Sequence, residues 1–323
     1  MKFPNIEEKA IQVLTKHGIP FTDNLPVIKS PRQFKLGGDY GVEIPAINSF
    51  RSLNLIVNAL KENGIYCTRF NETHGSFLLS DSEIEDMLAL CSESGYGITF
   101  GLGPRPEYDI KAALYRTKFG LELGRQLNNN DAISHSVAEA IRLTELGCRG
   151  IIVYDLGVLH ILNLLRSKGD LPQDTVFKIS SHCMVSSPHM AKIYRENGAD
   201  SVTTVHDLSI GMLQEMRRIC PDLVLDVPID IYPTKGGFIR FYDIAKIVEV
   251  ASPVFLKMGA SSQDDPYSAI TDEVIRKRVN RVAVGLEYLY KMMGDQQVID
   301  RNNPDCALPS FQKLNVEHLN GAV

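Results

Sequence analysis

The stretch TVFKISSHCMVSSPHMAKIYRENGADSVTTVHDL, residues 175–208, holds a β-rich run, a capped helical segment and a second β-rich run in immediate succession. The first run, TVFKISSHC (175–183), combines β-branched and aromatic residues with polar ones in alternation, the pattern of a strand. Ser186-Ser187-Pro188 then opens the helix HMAKIYRENG, a hydroxyl cap followed by a proline whose missing N–H costs a first helical turn nothing. The second run, DSVTTVHDL (200–208), is a strand again. Two strands separated by one helix of this length predict a parallel pair joined by a crossover.

The same unit recurs in both directions along the chain. Upstream lie the strands GVEIPAINS (41–49), YCTRFNE (66–72), GITFGLG (97–103) and GIIVYDLG (150–157). Ser80-Asp81-Ser82 caps the helix EIEDMLALCSES after the second of them. The third is followed by two helical patterns, around 110–127 and 131–146. Downstream come LVLDVPIDI (223–231) and PVFLKMG (253–259), each followed by a helix. Eight strand–helix units in order predict a single-domain (β/α)8 TIM barrel over residues 39–294. An open doubly wound sheet with extra strands is the architectural alternative. Residues 1–38 read as an N-terminal helix and connector that covers the bottom of the barrel, and residues 295–323 read as a C-terminal tail.

Composition narrows the function classes. Of 323 residues, 44% are hydrophobic and 23% charged, and the formal net charge is −5, so no basic surface advertises a nucleic-acid partner. Six dispersed cysteines form no CxxC pair, which gives no support to a zinc ribbon or an iron–sulfur cluster. No signal peptide and no apolar run of about 20 residues is present, so the expectation is a cytoplasmic protein with reduced thiols and no membrane partner. Its expected partner is a small-molecule substrate, with homo-oligomerisation open.

A strand in a closed barrel turns alternate residues inward. Read with period two, Arg69 and Asn71 share one face of the second strand, with Glu72 at its end. Lys178, Ser180 and His182 share one face of the fifth, and Asp226 and Asp230 one face of the seventh. The fourth strand ends at Asp155, the sixth near His206, the third at Arg105, and the eighth carries Lys257. Asp226 with Lys178 makes sense as an ordinary buried ion pair. So many ionisable groups at the strand ends point to a site at the C-terminal face, where this fold builds its active sites.

The chemistry open to this set is broad. Lys178 or Lys257, partly buried with a lowered pKa, suits a base or a Schiff-base nucleophile. His182 and His206 suit proton exchange, with Asp155 and Asp230 as orienting carboxylates. Asp155, Glu72, Asp230 and the two histidines also form a donor set suited to a divalent metal, although no HxH or HExxH spacing accompanies them. Lys235, Gly236, Gly237 and Arg240 follow the seventh strand, where barrels frequently bind phosphate, and Arg69 and Arg105 suit an anionic group. A plain flexible turn accounts equally well for the glycine pair.

The run KISSHCMVSSPHMAKIYRENGADSVTTVHDLSIGMLQEMRRICPDL resembles the middle of the collagenase-like (U-thirty-two) peptidases, and VEIPAINSFRSLNLIVNALKENG is similar to their first strand and helix. The resemblance spans about a third of the chain, mostly scaffold, and implies a barrel. The family's pair of closely spaced cysteines is missing from DVPIDIYPTKGGFIRFYDI, where it belongs, and so is its four-cysteine cluster. No functional residue carries over. Three readings therefore stand. One is an enzyme acting on a small anionic or carbonyl-containing substrate by acid–base, lyase or hydrolytic chemistry. The others are a peptidase or peptide-modifying enzyme and a non-catalytic ligand-binding barrel.

Overall fold

A computed structural model describes residues 6–19, 26–103 and 126–311. Eight parallel strands close into a barrel in the order β1-β2-β3-β4-β5-β6-β7-β8: β1 Tyr40–Ile44, β2 Arg69–Asn71, β3 Gly97–Gly101, β4 Gly150–Val153, β5 Val176–Ile179, β6 Ser201–Thr203, β7 Val224–Pro228 and β8 Val254–Lys257. The protein is therefore the (β/α)8 barrel that the repeated unit predicts, not an open sheet. Arg105 and most of the helical pattern around 110–127 lie outside the described residues.

Local chemistry places the helices. Ser80 Oγ accepts from the Glu83 amide and Ser187 Oγ from the Met190 amide, so both predicted caps close the first turn they precede. The helices that follow the strands bury one face on the sheet, and Ile56, Leu88, Leu159, Leu213 and Val282 are among the fully covered side chains of that layer.

Every strand is shorter than its β-rich run. The last residues of each run leave the ladder and turn across the barrel top, as Ser181–Cys183 does in a single 3-10 turn after β5. The reason is geometric: tilted strands diverge beyond the barrel rim, and their polar ends pair with loop amides instead of neighbours.

The bottom of the barrel is sealed by both ends of the chain. Phe34 stacks edge-on against Phe255, 5.2 Å between ring centres, and joins Ile299, Cys306 and Leu308 in a small apolar cluster. Residues 295–311 thus form a short tail packed on the barrel. The Ile299 amide donates to the Tyr40 carbonyl (2.7 Å), the Ile98 amide to the Ala307 carbonyl (3.2 Å) and the Ser310 amide to the Gly147 carbonyl (2.8 Å). Gly97 is required by this seal, because a Cβ there would lie 1.6 Å from the Cys306 carbonyl oxygen. Gly97→Ala is expected to lower Tm and to expose residues 295–311 to limited proteolysis. Unchanged protease resistance would show that the strap does not rest on β3.

Candidate active site

Inside the barrel, above the bottom seal, lies a fully buried layer of ionised side chains. Arg69 on β2 donates from Nε to Glu43 Oε2 (2.7 Å) and from Nη2 to Asp226 Oδ1 (2.6 Å). Its Nη1 reaches down to the Asp305 carbonyl (2.8 Å), and its guanidinium lies 3.6 Å over the Phe255 ring. Lys178 on β5 is held from three directions, by both Glu43 oxygens (3.0 and 2.9 Å) and by Asp226 Oδ2 (2.5 Å). Strand register brings these groups together: Glu43 sits opposite Arg69 on one side and Lys257 on the other.

The layer contains Arg69, Lys178 and Lys257 against Glu43 and Asp226, one positive charge in excess when all are ionised. Burial pushes the Glu43 carboxyl up, but the cations of Lys178, Arg69 and Lys257 outweigh it and hold that group well below the usual carboxylate range. Lys257 is the outlier. Its Nζ lies 3.8 Å from Glu43 Oε1, outside good hydrogen-bond range, and its side chain retains 13% exposure. Burial lowers its pKa; Glu43 resists that and the neighbouring Lys178 charge adds to it, leaving the group near 8.

Lys257 opens upward into a cavity of about 280 Å³ at the C-terminal face. Among the described residues, Lys178, Lys235, His182 and His206 line it together with hydroxyls and apolar walls, and no carboxylate does. His206 is largely buried, and burial, followed by the charges of Lys257 and Lys235, lowers its pKa to about 4. At neutral pH it is an uncharged imidazole within the field of two amines. Ser180 Oγ accepts from the His182 amide (3.3 Å), which fixes the turn that carries His182 over the cavity.

Several expected site residues are used elsewhere, and each has a physical reason. Asp155 caps the helix Leu156–Lys168, accepting from the Val158 amide (2.9 Å) and the Leu127 amide (3.0 Å). Asp230 accepts from the Gly259 and Ser261 amides (both 2.7 Å) and from the Ser261 hydroxyl (2.5 Å), so it shapes the loop after β8. Glu72 takes the amides of His74 (2.5 Å), Gly75 (2.8 Å) and Gly101 (3.2 Å). These carboxylates do not converge with the histidines, and among the described residues no group of three or more His, Cys, Asp or Glu is placed to hold a metal ion.

The expected anion cradle is also dismantled. The Gly236 and Gly237 amides turn back to the Pro233 and Tyr232 carbonyls (3.3 and 3.1 Å). Arg240 ties the Leu208 carbonyl (2.8 Å) to Asp243 (3.2 Å) and does not line the cavity. Asn71 is buried against Thr99, and Arg69 is consumed by the ion layer, so neither clamps a ligand. Of the anion-binding residues expected in these loops, Lys235 alone lines the cavity.

Residue-by-residue reading missed Glu43, the anion that binds all three interior cations. Its signal was a lone glutamate inside the apolar run of strand one, two residues before Pro45 and so on the same face. Arg278, on the helix Asp272–Met292, also frames the site. It is fully buried and donates to the Pro45 carbonyl (2.8 Å) and the Tyr232 hydroxyl (3.3 Å), which props the cavity wall.

Among the described residues no helix is long and apolar enough to cross a membrane. No protein-family model and no curated protein matches the chain. Solved structures do resemble it. A U32 peptidase shares 14% identity over 69% of this chain and 82% of its own, with a TM-score of 0.42. The YdjI aldolase from Escherichia coli K12 shares 12% identity over 78% and 91%, with a TM-score of 0.46. N-acetylneuraminate lyase from Mycoplasma synoviae shares 14% identity over 78% of each chain, with a TM-score of 0.43. Likenesses of this degree are likenesses of barrel scaffold.

Proposed function

We propose that the protein is an enzyme in which the Lys257 amine attacks the carbonyl of a small anionic aldehyde or ketone and forms a Schiff base. One observation carries this reading: of the two lysines inside the barrel, Lys178 is clamped by Glu43 (2.9 Å) and Asp226 (2.5 Å), while Lys257 at the cavity floor has Glu43 alone within reach, at 3.8 Å. With its pKa near 8, about a tenth of Lys257 is the free amine at pH 7, against well under a thousandth for an ordinary lysine. The amine adds to the carbonyl, and loss of one water with uptake of one proton from solvent gives a protonated imine that draws electrons from the bond beside it. In this reading neutral His206, which lines the same cavity, accepts a proton from the substrate and returns it. Lyase chemistry next to a carbonyl is the reaction class this arrangement serves best.

A cysteine nucleophile of the peptidase kind finds no support. Cys183, next in the chain to His182, is buried, and that burial pushes its thiol up to about 12.

Reductive trapping with cyanoborohydride and a short aldehyde tests the reading. Labelling is expected to rise about tenfold per pH unit from 6 to 7 and to level off above about 8, because the reactive species is the deprotonated amine. A rate still climbing past pH 10 belongs to ordinary surface lysines and contradicts the assignment.

A further inference from the structure

We infer that the substrate of this cavity carries a terminal carboxylate, with its carbonyl at Lys257 on the floor and its carboxylate at Lys235 on the rim. The inference rests on the Schiff-base reading and names the substrate class for it. Lys257 and Lys235 line the same cavity, one from the end of β8 inside the barrel and one from the exposed turn after β7. His206 lines the same cavity and feels both charges.

The rim lysine is held in place by its backbone. Its amide donates to the Tyr232 carbonyl (2.8 Å), and Thr234 fastens the turn to the Asp264 carbonyl through its hydroxyl (2.8 Å) and its amide (3.2 Å). Among the described residues no carboxylate lies within salt-bridge distance of Lys235. Asp265, across the rim, is already engaged by the Ser268 hydroxyl (2.6 Å) and the Tyr267 amide (2.7 Å). Since no acidic group lines the cavity among the described residues, a ligand that reaches from floor to rim meets positive charge at both ends.

The form of the anion follows from what the described residues place around that ammonium. Phosphate sites gather several backbone amides or a guanidinium fork about one group. Here the amides of Gly236, Gly237, Gly259 and Ser261 are all donated within the protein, and Arg240 is tied to Leu208 and Asp243. A single compact ammonium suits a singly charged carboxylate.

The test compares cyanoborohydride labelling of the full-length protein by two matched pairs, 4-oxobutanoate against butanal and glyceraldehyde 3-phosphate against glyceraldehyde, followed by intact mass. Wild-type protein is expected to prefer 4-oxobutanoate over butanal by about tenfold, the scale of one well-placed charge contact. Lys235→Gln is expected to lose most of that preference and Lys235→Arg to keep it, while the phosphate pair shows a smaller preference throughout. If Lys235→Gln labels with unaltered preference, the rim assignment fails while the Schiff-base reading stands. An equal or larger preference for the phosphate overturns the carboxylate. If no aldehyde labels Lys257, both the inference and the reading beneath it fall.

Discussion

Glu43→Ala is expected to lower stability by about 3–5 kcal/mol, the usual scale for removing one partner of a buried ion pair. The loss is large because Glu43 is the shared anion: it contacts Arg69 at 2.7 Å and Lys178 at 2.9 Å and is the closest carboxylate to Lys257. Without it three buried cations face Asp226 alone. Thermal unfolding should show Tm falling by roughly 4–7 °C for a chain of this length. The pH dependence has a definite sign. Glu43 has a carboxyl held below its unfolded value near 4.5, so the stability it supplies is complete above that pH and is lost as pH falls below it. The Glu43→Ala protein should therefore show a flatter acid limb in a stability–pH curve. An unchanged Tm would mean that the ion layer is not a single unit.

Lys257→Met is expected to do the reverse to stability while abolishing imine formation. Removing this lysine leaves two cations against two carboxylates, and it relieves a charge that its surroundings disfavour. Its folded pKa near 8 lies below the ordinary 10.5, and each unit of such displacement corresponds to about 1.4 kcal/mol between the two protonation states. At neutral pH the variant should therefore melt at or above the wild-type temperature. The gain should shrink between pH 8 and pH 10.5, because the wild type becomes more stable with rising pH across that window: its unfolded state binds the extra proton there. A protein that gains stability and loses labelling together identifies a residue retained for chemistry. A fall in Tm at pH 7 would instead make Lys257 one more structural member of the ion layer.

The barrel was legible because crossover units repeat, and period two grouped Arg69, Lys178 and Asp226 on faces of their strands that turn inward, while Lys257 was read simply as a residue of the eighth strand. The carboxylates failed for a common reason. An aspartate at a strand end looks the same in sequence whether it faces a ligand or takes loop amides. Asp155 did carry a warning, since it immediately precedes a helix and the N-cap position favours aspartate. Asp230 carried none, because its amide partners lie on the loop after β8, and Glu72 takes the His74 and Gly75 amides of its own loop together with the Gly101 amide of β3. Glu43 escaped for the opposite reason, being mid-strand where an apolar residue is the ordinary occupant. The C-terminal strap showed little periodicity because it is held through backbone hydrogen bonds and a few apolar contacts, such as Ile299 and Cys306 against Phe255. Side chains that serve an element without regular structure leave no repeating pattern.

The most direct measurement is peptide mapping after cyanoborohydride reduction with 4-oxobutanoate at pH 8. The account predicts a single reduced adduct on the peptide that contains Lys257, absent from the Lys257→Met protein and absent from Lys178 in both. An adduct on Lys178, or labels scattered over surface lysines with Lys257 unmodified, would contradict it.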